Sequence, residues 1–321
     1  MTVGTPTLWA ITLAAVLALI AVDFLLTRRP HEVSLREAGL WSAFYIGLPL
    51  GFGGWVWWRY GGERGTEFLA GYLVEKSLSV DNLFVFMLLL AAFAVPAALQ
   101  QRVLLYGIVG ALALRGVFIA VGAAALDAFT ATFLVFGLIL VATAVKVLRD
   151  ARSGHDQEVD VGQMRSVRLL RRFFPVTRDY AGPRLTVREA GRRALTPLAV
   201  VVVAVFATDV VFAVDSVPAV YGITEDPYLV FATNAFALLG LRALYFLLAG
   251  ALSRLVYLGY GLAAILALIG VKLMLHWAHT AWPSVPTIPT LLSLALIVGI
   301  LAVVTVTSLL STKDREPAPV G

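Results

Sequence analysis

The sequence predicts an all-α protein, a polytopic bundle of transmembrane helices. Of its 321 residues, 60% are hydrophobic and only 14% are charged, and the mean hydropathy is +0.88. A soluble globule of this size would need more charged side chains on its surface. Apolar windows long enough to cross a bilayer also recur along the whole chain. We therefore expect residues 1–321 to form a single transmembrane domain.

These windows, each of about 20 residues, indicate about nine membrane spans. They lie at roughly 7–27, 40–59, 70–94, 102–125, 130–148, 196–220, 228–250, 255–277 and 289–311. The first window has no basic residue before it and no clear small-residue cleavage site after it. It is therefore predicted to be an uncleaved helix rather than a signal peptide.

The basic residues lie mainly in connections on one side of the predicted bundle. The segment 149–194, between spans five and six, contains eleven arginines. By the positive-inside rule this side is cytoplasmic, which places the N-terminus outside and the C-terminus in the cytoplasm. Only Arg59 and Arg64 fall on the opposite side, next to Glu63 and Glu67.

The same 149–194 segment, the basic loop, carries most of the net charge of +5. Such a loop sets orientation and attracts anionic lipid headgroups, with a partner or regulatory surface as the alternative and no role for nucleic acid. Its stretch 171–177 mixes arginine with phenylalanine, so we expect part of the loop to lie against the membrane face.

Two sets of three spans share short motifs in the same order, which predicts an internal repeat. Spans three to five (70–148) match spans six to eight (196–277). The matches pair Glu75 with Asp209, Val80-Asp81-Asn82 with Val214-Asp215-Ser216, Arg115 with Arg242, and Lys146 with Lys272. Because three is odd, the second set enters the membrane from the opposite side. Inverted repeats of this kind place a substrate site near the midplane.

Four carboxylates lie in the first helices of the two predicted repeats: Glu75, Asp81, Asp209 and Asp215. Each costs about 2.5 to 3.5 kcal/mol near the bilayer centre, so a metal, a proton or a basic side chain must compensate. An intact helix spreads each acidic pair over two faces. A break at Pro218 would bring carboxylates and freed carbonyls together.

The neighbouring side chains predict a site for a hard divalent cation. Asn82 and Ser216 follow Asp81 and Asp215 and add neutral oxygen ligands. Oxygen ligands without thiolates suit Mn²⁺, Ca²⁺ or Mg²⁺, and the chain has no cysteine. His276 and His279 lie at the end of span eight, where we interpret them as interfacial residues, with metal access as the alternative.

Ion pairing inside the bundle is the competing explanation for the acids. Lys76, Arg115, Lys146, Arg242 and Lys272 lie in or near membrane segments and could neutralise them without any transport. The lysines lie near helix ends or can extend to the surface. Arg115 and Arg242 lie deeper, and we expect a structural or gating role for both.

Four blocks of sequence resemble the TerC family of integral membrane proteins. They read EKSLSVDNLFV at 75–85, RFFPVT at 172–177, TDVVFAVDSVPA at 208–219 and TNAFALLGLRALYF at 233–246. The family is associated with tellurium resistance and, in several branches, with manganese export across the bacterial plasma membrane. The resemblance implies that Glu75, Asp81, Asn82, Asp209, Asp215 and Ser216 line the metal path, with Asn234 nearby. Because an acidic site repels an oxyanion, we interpret tellurite resistance as an indirect effect.

Two functions follow as hypotheses. In the first, a secondary transporter exports a divalent metal, Mn²⁺ before Ca²⁺, with protons as a coupling ion. In the second, a membrane scaffold serves protein export or metal-stress resistance without transport of its own. The sequence contains no Walker motif and no cluster of nucleophile, base and orienting group, so we predict no enzymatic activity.

Overall fold

The computed structural model describes residues 2–26, 34–153, 167, 172–177, 179–189, 192–248 and 257–313. The helices before the basic loop are α1 (Pro6–Leu26), α2 (Leu35–Tyr60), α3 (Gly62–Ala92), α4 (Ala97–Ala128) and α5 (Ala131–Ser153). A hairpin follows, made of β1 (Thr186–Glu189) and β2 (Arg192–Leu195). The chain continues with α6 (Pro197–Tyr221), α7 (Pro227–Leu239), α8 (Leu241–Leu248), α9 (Leu258–Ala281) and α10 (Thr290–Lys313).

The helical fold agrees with the predicted class of membrane protein. Within the described residues, seven helical stretches are long and apolar enough to cross a bilayer: Pro6–Leu25, Ala97–Ala128, Ala131–Arg152, Pro197–Tyr221, Pro227–Leu247, Leu258–Ala281 and Thr290–Ser311. The two other predicted spans, at 40–59 and 70–94, correspond to α2 and α3, which are also helical but lie outside this set. The total of nine spans stays a prediction.

The helices of the two predicted repeats pack against each other in a reciprocal way. The first helix of each set contacts the second helix of the other, since α3 packs on α7 and α6 packs on α4. The third helices, α5 and α9, pack together along their length, and α3 also contacts α6. Exchanging the two sets leaves this pattern unchanged, as an internal repeat requires. Superposition of the two halves stays a prediction.

Two glycines permit the close crossing of α5 and α9. A Cβ atom at Gly137 would lie 2.8 Å from the carbonyl oxygen of Gly270, and one at Gly270 would lie 2.9 Å from that of Gly137. Small residues at a helix crossing let backbones approach closely, which is the main way that membrane helices gain packing energy. The glycine pair therefore fixes where α5 and α9 meet.

The described part of the basic loop is structured and attached to the helix ends. The Tyr180 hydroxyl donates to the carbonyl of Phe93, just after α3, at 2.8 Å. Val176, Tyr180 and Leu185 pack against the main hydrophobic cluster. Thr196 caps α6, accepting from the Ala199 amide and donating to the Arg184 carbonyl at 2.7 Å. Part of the loop therefore lies against the ends of the bundle.

Three helix boundaries differ from the expectations. The predicted break at Pro218 is wrong, because α6 continues through Pro218 to Tyr221. A proline removes only its own amide hydrogen bond, and the following turn still forms, with the Gly222 amide donating to the Pro218 carbonyl at 2.9 Å. The seventh span is instead divided at Gly240, where a Cβ would lie 2.9 Å from that of Tyr45. Helix α3 begins at Gly62, eight residues before the apolar window. The window missed these residues because the first turns of the helix are charged.

Candidate functional site

A buried arginine joins the four central helices. Arg115, on α4, donates to Glu75 on α3, to Asn234 on α7 at 2.8 Å and to Asp209 on α6 at 3.4 Å. None of these four side chains is more than 1% exposed. We call them the central cluster. Since α4 and α7 follow the two acid-bearing helices in the predicted repeats, the cluster lies where the two halves meet.

The secondary structure explains why these side chains converge. Glu75 lies on the buried face of α3 with Ser79 and Asn82, as the helical period requires. Asp209 and Ser216 lie in the same way on the buried face of α6. Arg115 on α4 joins these two faces, since it donates to Glu75 on α3 and to Asp209 on α6.

Asn234 is held in a fixed orientation toward Arg115. Its amide nitrogen donates to the Val230 carbonyl one helical turn earlier, at 2.9 Å, so its oxygen is the atom that faces the guanidinium. An amide oxygen accepts a hydrogen bond without adding charge. Asn234 therefore positions Arg115 and leaves the negative charge of the cluster to the two carboxylates.

Several buried oxygen atoms at this interface have no hydrogen-bond partner in the described part of the chain. They are Glu75 Oε2, Asp209 Oδ2, Ser79 Oγ and Ser216 Oγ. Each carboxylate thus uses one oxygen on Arg115 and keeps the other without a partner. Buried polar atoms without partners cost free energy and call for an ion or ordered water. Of the eight such atoms in the described residues, five belong to side chains of α3 or α6, and Arg115 Nε in the central cluster is also without a partner.

The remaining predicted site residues lie near this interface. Asn82 is buried on α3, and Ser216 is buried on α6. Asp215 is half-buried and close enough to Glu75 and Arg115 for electrostatic interaction. The backbone of Asp81 belongs to α3, but its side chain lies outside the described part of the structure. Among the described residues, no three His, Asp or Glu side chains come close enough to hold a metal ion together.

Arg242 lies in a second buried polar cluster, which the sequence did not predict. Its guanidinium donates to Asp23 on α1 at 2.8 Å and to Gln101 on α4 at 3.3 Å. Asp23 is 2% exposed and Arg242 is 6% exposed. One signal for this cluster was present in the sequence. Asp23 lies near the end of an otherwise apolar window, and a buried acid needs a basic partner. The cluster attaches α1 to α4 and α8.

A cavity of about 1060 Å³ opens at the α6–α7 connection. Glu67 and Thr224 line it, and the Thr224 hydroxyl donates to Glu67 at 2.8 Å. His276 and His279 also line it, with His276 Nε2 3.3 Å from a Glu225 carboxylate oxygen. The two histidines thus lie at a polar opening, and a role in metal access, the alternative to an interfacial role, stays a hypothesis.

A close helix contact separates this cavity from the central cluster. Gly71 lies on α3 midway between Glu67 and Glu75, one helical turn from each. A Cβ at Gly71 would lie 3.1 Å from Thr233 on α7 and 3.3 Å from Val220 on α6. The two polar regions therefore share one face of α3 but are divided by packed side chains.

The fold and the central cluster define a class: a polytopic helical membrane protein whose central helices share buried charged residues. The chain belongs to the integral membrane protein TerC family, whose model matches residues 60–316. The match includes all four helices that contribute to the central cluster.

Bacterial relatives cover most of the chain. An uncharacterised membrane protein of Myxococcus xanthus is 44% identical over 272 residues, 84% of this chain and 84% of that protein. An uncharacterised membrane protein of Mycobacterium tuberculosis H37Rv is 45% identical over 272 residues, 84% of this chain and 68% of that protein. Alx of Escherichia coli K12, named as a candidate membrane-bound redox modulator, is 41% identical over 284 residues, 85% of this chain and 87% of that protein. No solved structure matches the chain.

Proposed function

We propose that this protein is a secondary transporter that exports a hard divalent cation, Mn²⁺ as its main substrate, through the interface of α3 and α6. The proposal rests on one observation. Two carboxylates, Glu75 and Asp209, share the single guanidinium of Arg115 in a fully buried position. One arginine does not neutralise two ionised acids, and the nearby Lys76 donates its hydrogen bond to the Ala237 carbonyl rather than to a carboxylate.

The charge of the interface supports a cation as the missing partner. Asp215 adds a third carboxylate nearby, and the sequence places Asp81 on the same helix as Glu75. Ionised carboxylates are costly in a bilayer unless they are paired, bound to metal or protonated. A divalent ion or protons would supply the missing positive charge. Because both can neutralise the same carboxylates, the site could exchange the metal ion for protons.

The atoms without partners favour a hard ion. The carboxylate and hydroxyl oxygens of Glu75, Asp209, Ser79 and Ser216 are the ligand type that Mn²⁺, Mg²⁺ and Ca²⁺ prefer. The chain has no cysteine, so no thiolate competes for a softer metal. We assign Asp81 and Asp215 as the direct ligands, with Asn82 and Ser216 beside them.

In this proposal Arg115 is the internal competitor of the metal. It holds one oxygen of Glu75 and one of Asp209, so a cation bound beside them at Asp81 and Asp215 competes with the guanidinium for the negative charge of these two carboxylates. Charge repulsion between the cation and Arg115 then opposes simultaneous occupancy. Glu75 and Asp209 therefore act as the residues that sense occupancy and carry protons.

The second candidate function is a membrane scaffold without transport, associated with protein export. The ion pairs of Arg115 favour it, because buried pairs can serve packing alone. The Alx name suggests redox modulation for that relative. This chain has no cysteine and therefore supplies no thiol for disulfide chemistry. We propose that any redox effect of this chain comes from a change in the metal concentration of the cell.

A flux assay with purified protein in liposomes separates the two functions. A Mn²⁺-quenched dye inside the liposomes should report uptake that a proton gradient alters. Glu75→Gln and Asp209→Asn should abolish that uptake, whereas Asp127→Asn, a matched change at an exposed acid at the end of α4, should leave it intact. If the unmodified protein moves no Mn²⁺ under any gradient, the scaffold is favoured and the transport proposal fails.

A further inference from the structure

Two arginines face each other on the hairpin of the basic loop. Arg188 on β1 is the direct cross-strand partner of Arg193 on β2, and both side chains are exposed. The adjacent pair, Val187 and Ala194, has its side chains on the opposite face of the hairpin, with Ala194 buried. Like charges placed directly opposite each other destabilise a strand pair. A negative partner outside the hairpin would therefore stabilise this pair.

The described part of the chain does not supply that partner. None of its carboxylates lies within ion-pairing distance of Arg188 or Arg193. In the described residues between 172 and 196 there are five arginines and only two acids. The segment therefore presents an uncompensated positive surface.

Two exposed aromatic side chains lie beside this surface. Phe173 is 68% exposed and Phe174 is 52% exposed. They directly precede Pro175, whose carbonyl accepts from the Leu195 amide at the end of β2, at 2.9 Å. We call Phe173, Phe174, Arg188 and Arg193 the loop patch. Aromatic rings next to arginines are typical of a surface that meets the membrane interface.

The attachment of the loop holds the patch close to the end of the bundle. Tyr180 is bonded to Phe93 at the end of α3, and β2 ends two residues before α6 begins. A four-residue strand extends only about 13 Å. The headgroup region adds roughly 5 to 7 Å beyond the hydrocarbon on each side. The patch therefore lies within reach of the lipid headgroups around the protein.

We propose that the loop patch docks on the anionic headgroups of the bilayer that holds the protein. The phosphate groups neutralise Arg188 and Arg193, and the rings of Phe173 and Phe174 enter the interface between headgroups and acyl chains. The charge complementarity of the patch selects phosphatidylglycerol-type lipids over zwitterionic ones. This interaction is independent of cation transport.

Because the chain has no cysteine, one introduced cysteine can carry a fluorescent label at a single known position. Thr186→Cys places a single label on the exposed face of the hairpin that carries Arg188. The labelled protein is placed in nanodiscs of phosphatidylcholine with increasing amounts of phosphatidylglycerol, and quenching of the label by neutral acrylamide is measured. Protection should rise with the phosphatidylglycerol content. In Arg188→Gln/Arg193→Gln protein the same protection should need several-fold more anionic lipid, since each basic side chain contributes about a fivefold gain.

Two controls decide whether the effect belongs to the patch. Arg36→Gln/Arg149→Gln removes the same charge from two exposed arginines outside the loop patch and should leave the titration unchanged. Phe173→Ser/Phe174→Ser should reduce quenching of the label by a nitroxide-bearing lipid. The proposal is overturned if the label is equally accessible in zwitterionic and anionic discs. It is also overturned if protection appears only when a cytoplasmic protein extract is added.

Discussion

Arg242 binds Asp23 of α1 much as Arg115 binds Glu75 of α3: each is a buried guanidinium paired with a carboxylate from another helix. The two arginines differ in what surrounds them. Arg115 has two carboxylates, whereas the contacts of Arg242 are one carboxylate and the neutral amide of Gln101. Among the described contacts, one carboxylate therefore accepts from Arg242, whereas two accept from Arg115. This difference assigns attachment of α1 to Arg242 and leaves Arg115 at the candidate cation site.

Removing Arg115 should destabilise the protein strongly. Arg115→Gln leaves Glu75 and Asp209 buried without a basic partner, which should cost about 3 to 5 kcal/mol of unfolding free energy. Thermal unfolding in detergent measures the loss. Adding Glu75→Gln to this variant should recover part of the stability, because one of the two buried charges is then gone. Equal stability of the single and double variants would contradict the ion-pair assignment.

The pair of Asp23 and Arg242 should be coupled energetically. In a double-mutant cycle of Asp23→Asn and Arg242→Gln, each single change leaves one buried group without its partner. We expect the two effects to differ from additivity by more than about 1 kcal/mol. The free energy of unfolding of the four proteins gives the coupling. Strict additivity would show that the contact does not attach α1.

The crossing of α5 and α9 should tolerate no side chain. Gly270→Ala places a methyl group 2.9 Å from the Gly137 carbonyl oxygen, which should cost about 1 to 3 kcal/mol. Gly299→Ala on α10 is the matched control, since a Cβ there meets nothing within 4 Å. Thermal unfolding of the two variants should differ clearly. A harmless Gly270→Ala change would mean that the helices cross elsewhere.

The predicted ligands can be tested in cells. Asp81→Asn and Asp215→Asn keep the size of the side chain and remove its charge, so they should weaken a hard divalent ion more than they disturb packing. A strain without other manganese exporters should lose protection against Mn²⁺ with either variant, at unchanged abundance of the protein in the membrane. Full protection by both variants would assign these carboxylates a structural role.

Much of the helical framework could be predicted from hydropathy alone. The window at 196–220 corresponds to α6 at Pro197–Tyr221, because an apolar segment of that length has few other structures in a bilayer. The first turns of α3 were missed because they are charged and lie outside the apolar window. Residues 62–69 include Glu63, Arg64 and Glu67, and hydropathy reports the hydrocarbon region rather than the end of a helix.

The central cluster was only partly predictable. The sequence placed Glu75 and Asp209 in membrane spans, and it offered both Arg115 and Arg242 as deeply placed basic residues without showing which of them meets the acids. The pairing of Asp23 with Arg242 was not predictable, because 219 residues separate them and neither helix shows in its own sequence which neighbour it meets. The hairpin in the basic loop was missed because its strands are only four residues long and rich in arginine.

The Arg115 guanidinium has a consequence for the energetics of a transport cycle. A counter-charge that belongs to the chain stays in place when a cargo ion departs. In the proposed transport cycle, the unloaded carrier would change between its inward and outward states with its acids partly neutralised, instead of exposing bare carboxylates to hydrocarbon. Arg115 would lower the barrier of that return step, whereas in the loaded form the metal would have to compete with the guanidinium for the carboxylates. Under this proposal, the same side chain raises the rate of turnover and lowers the affinity for the metal.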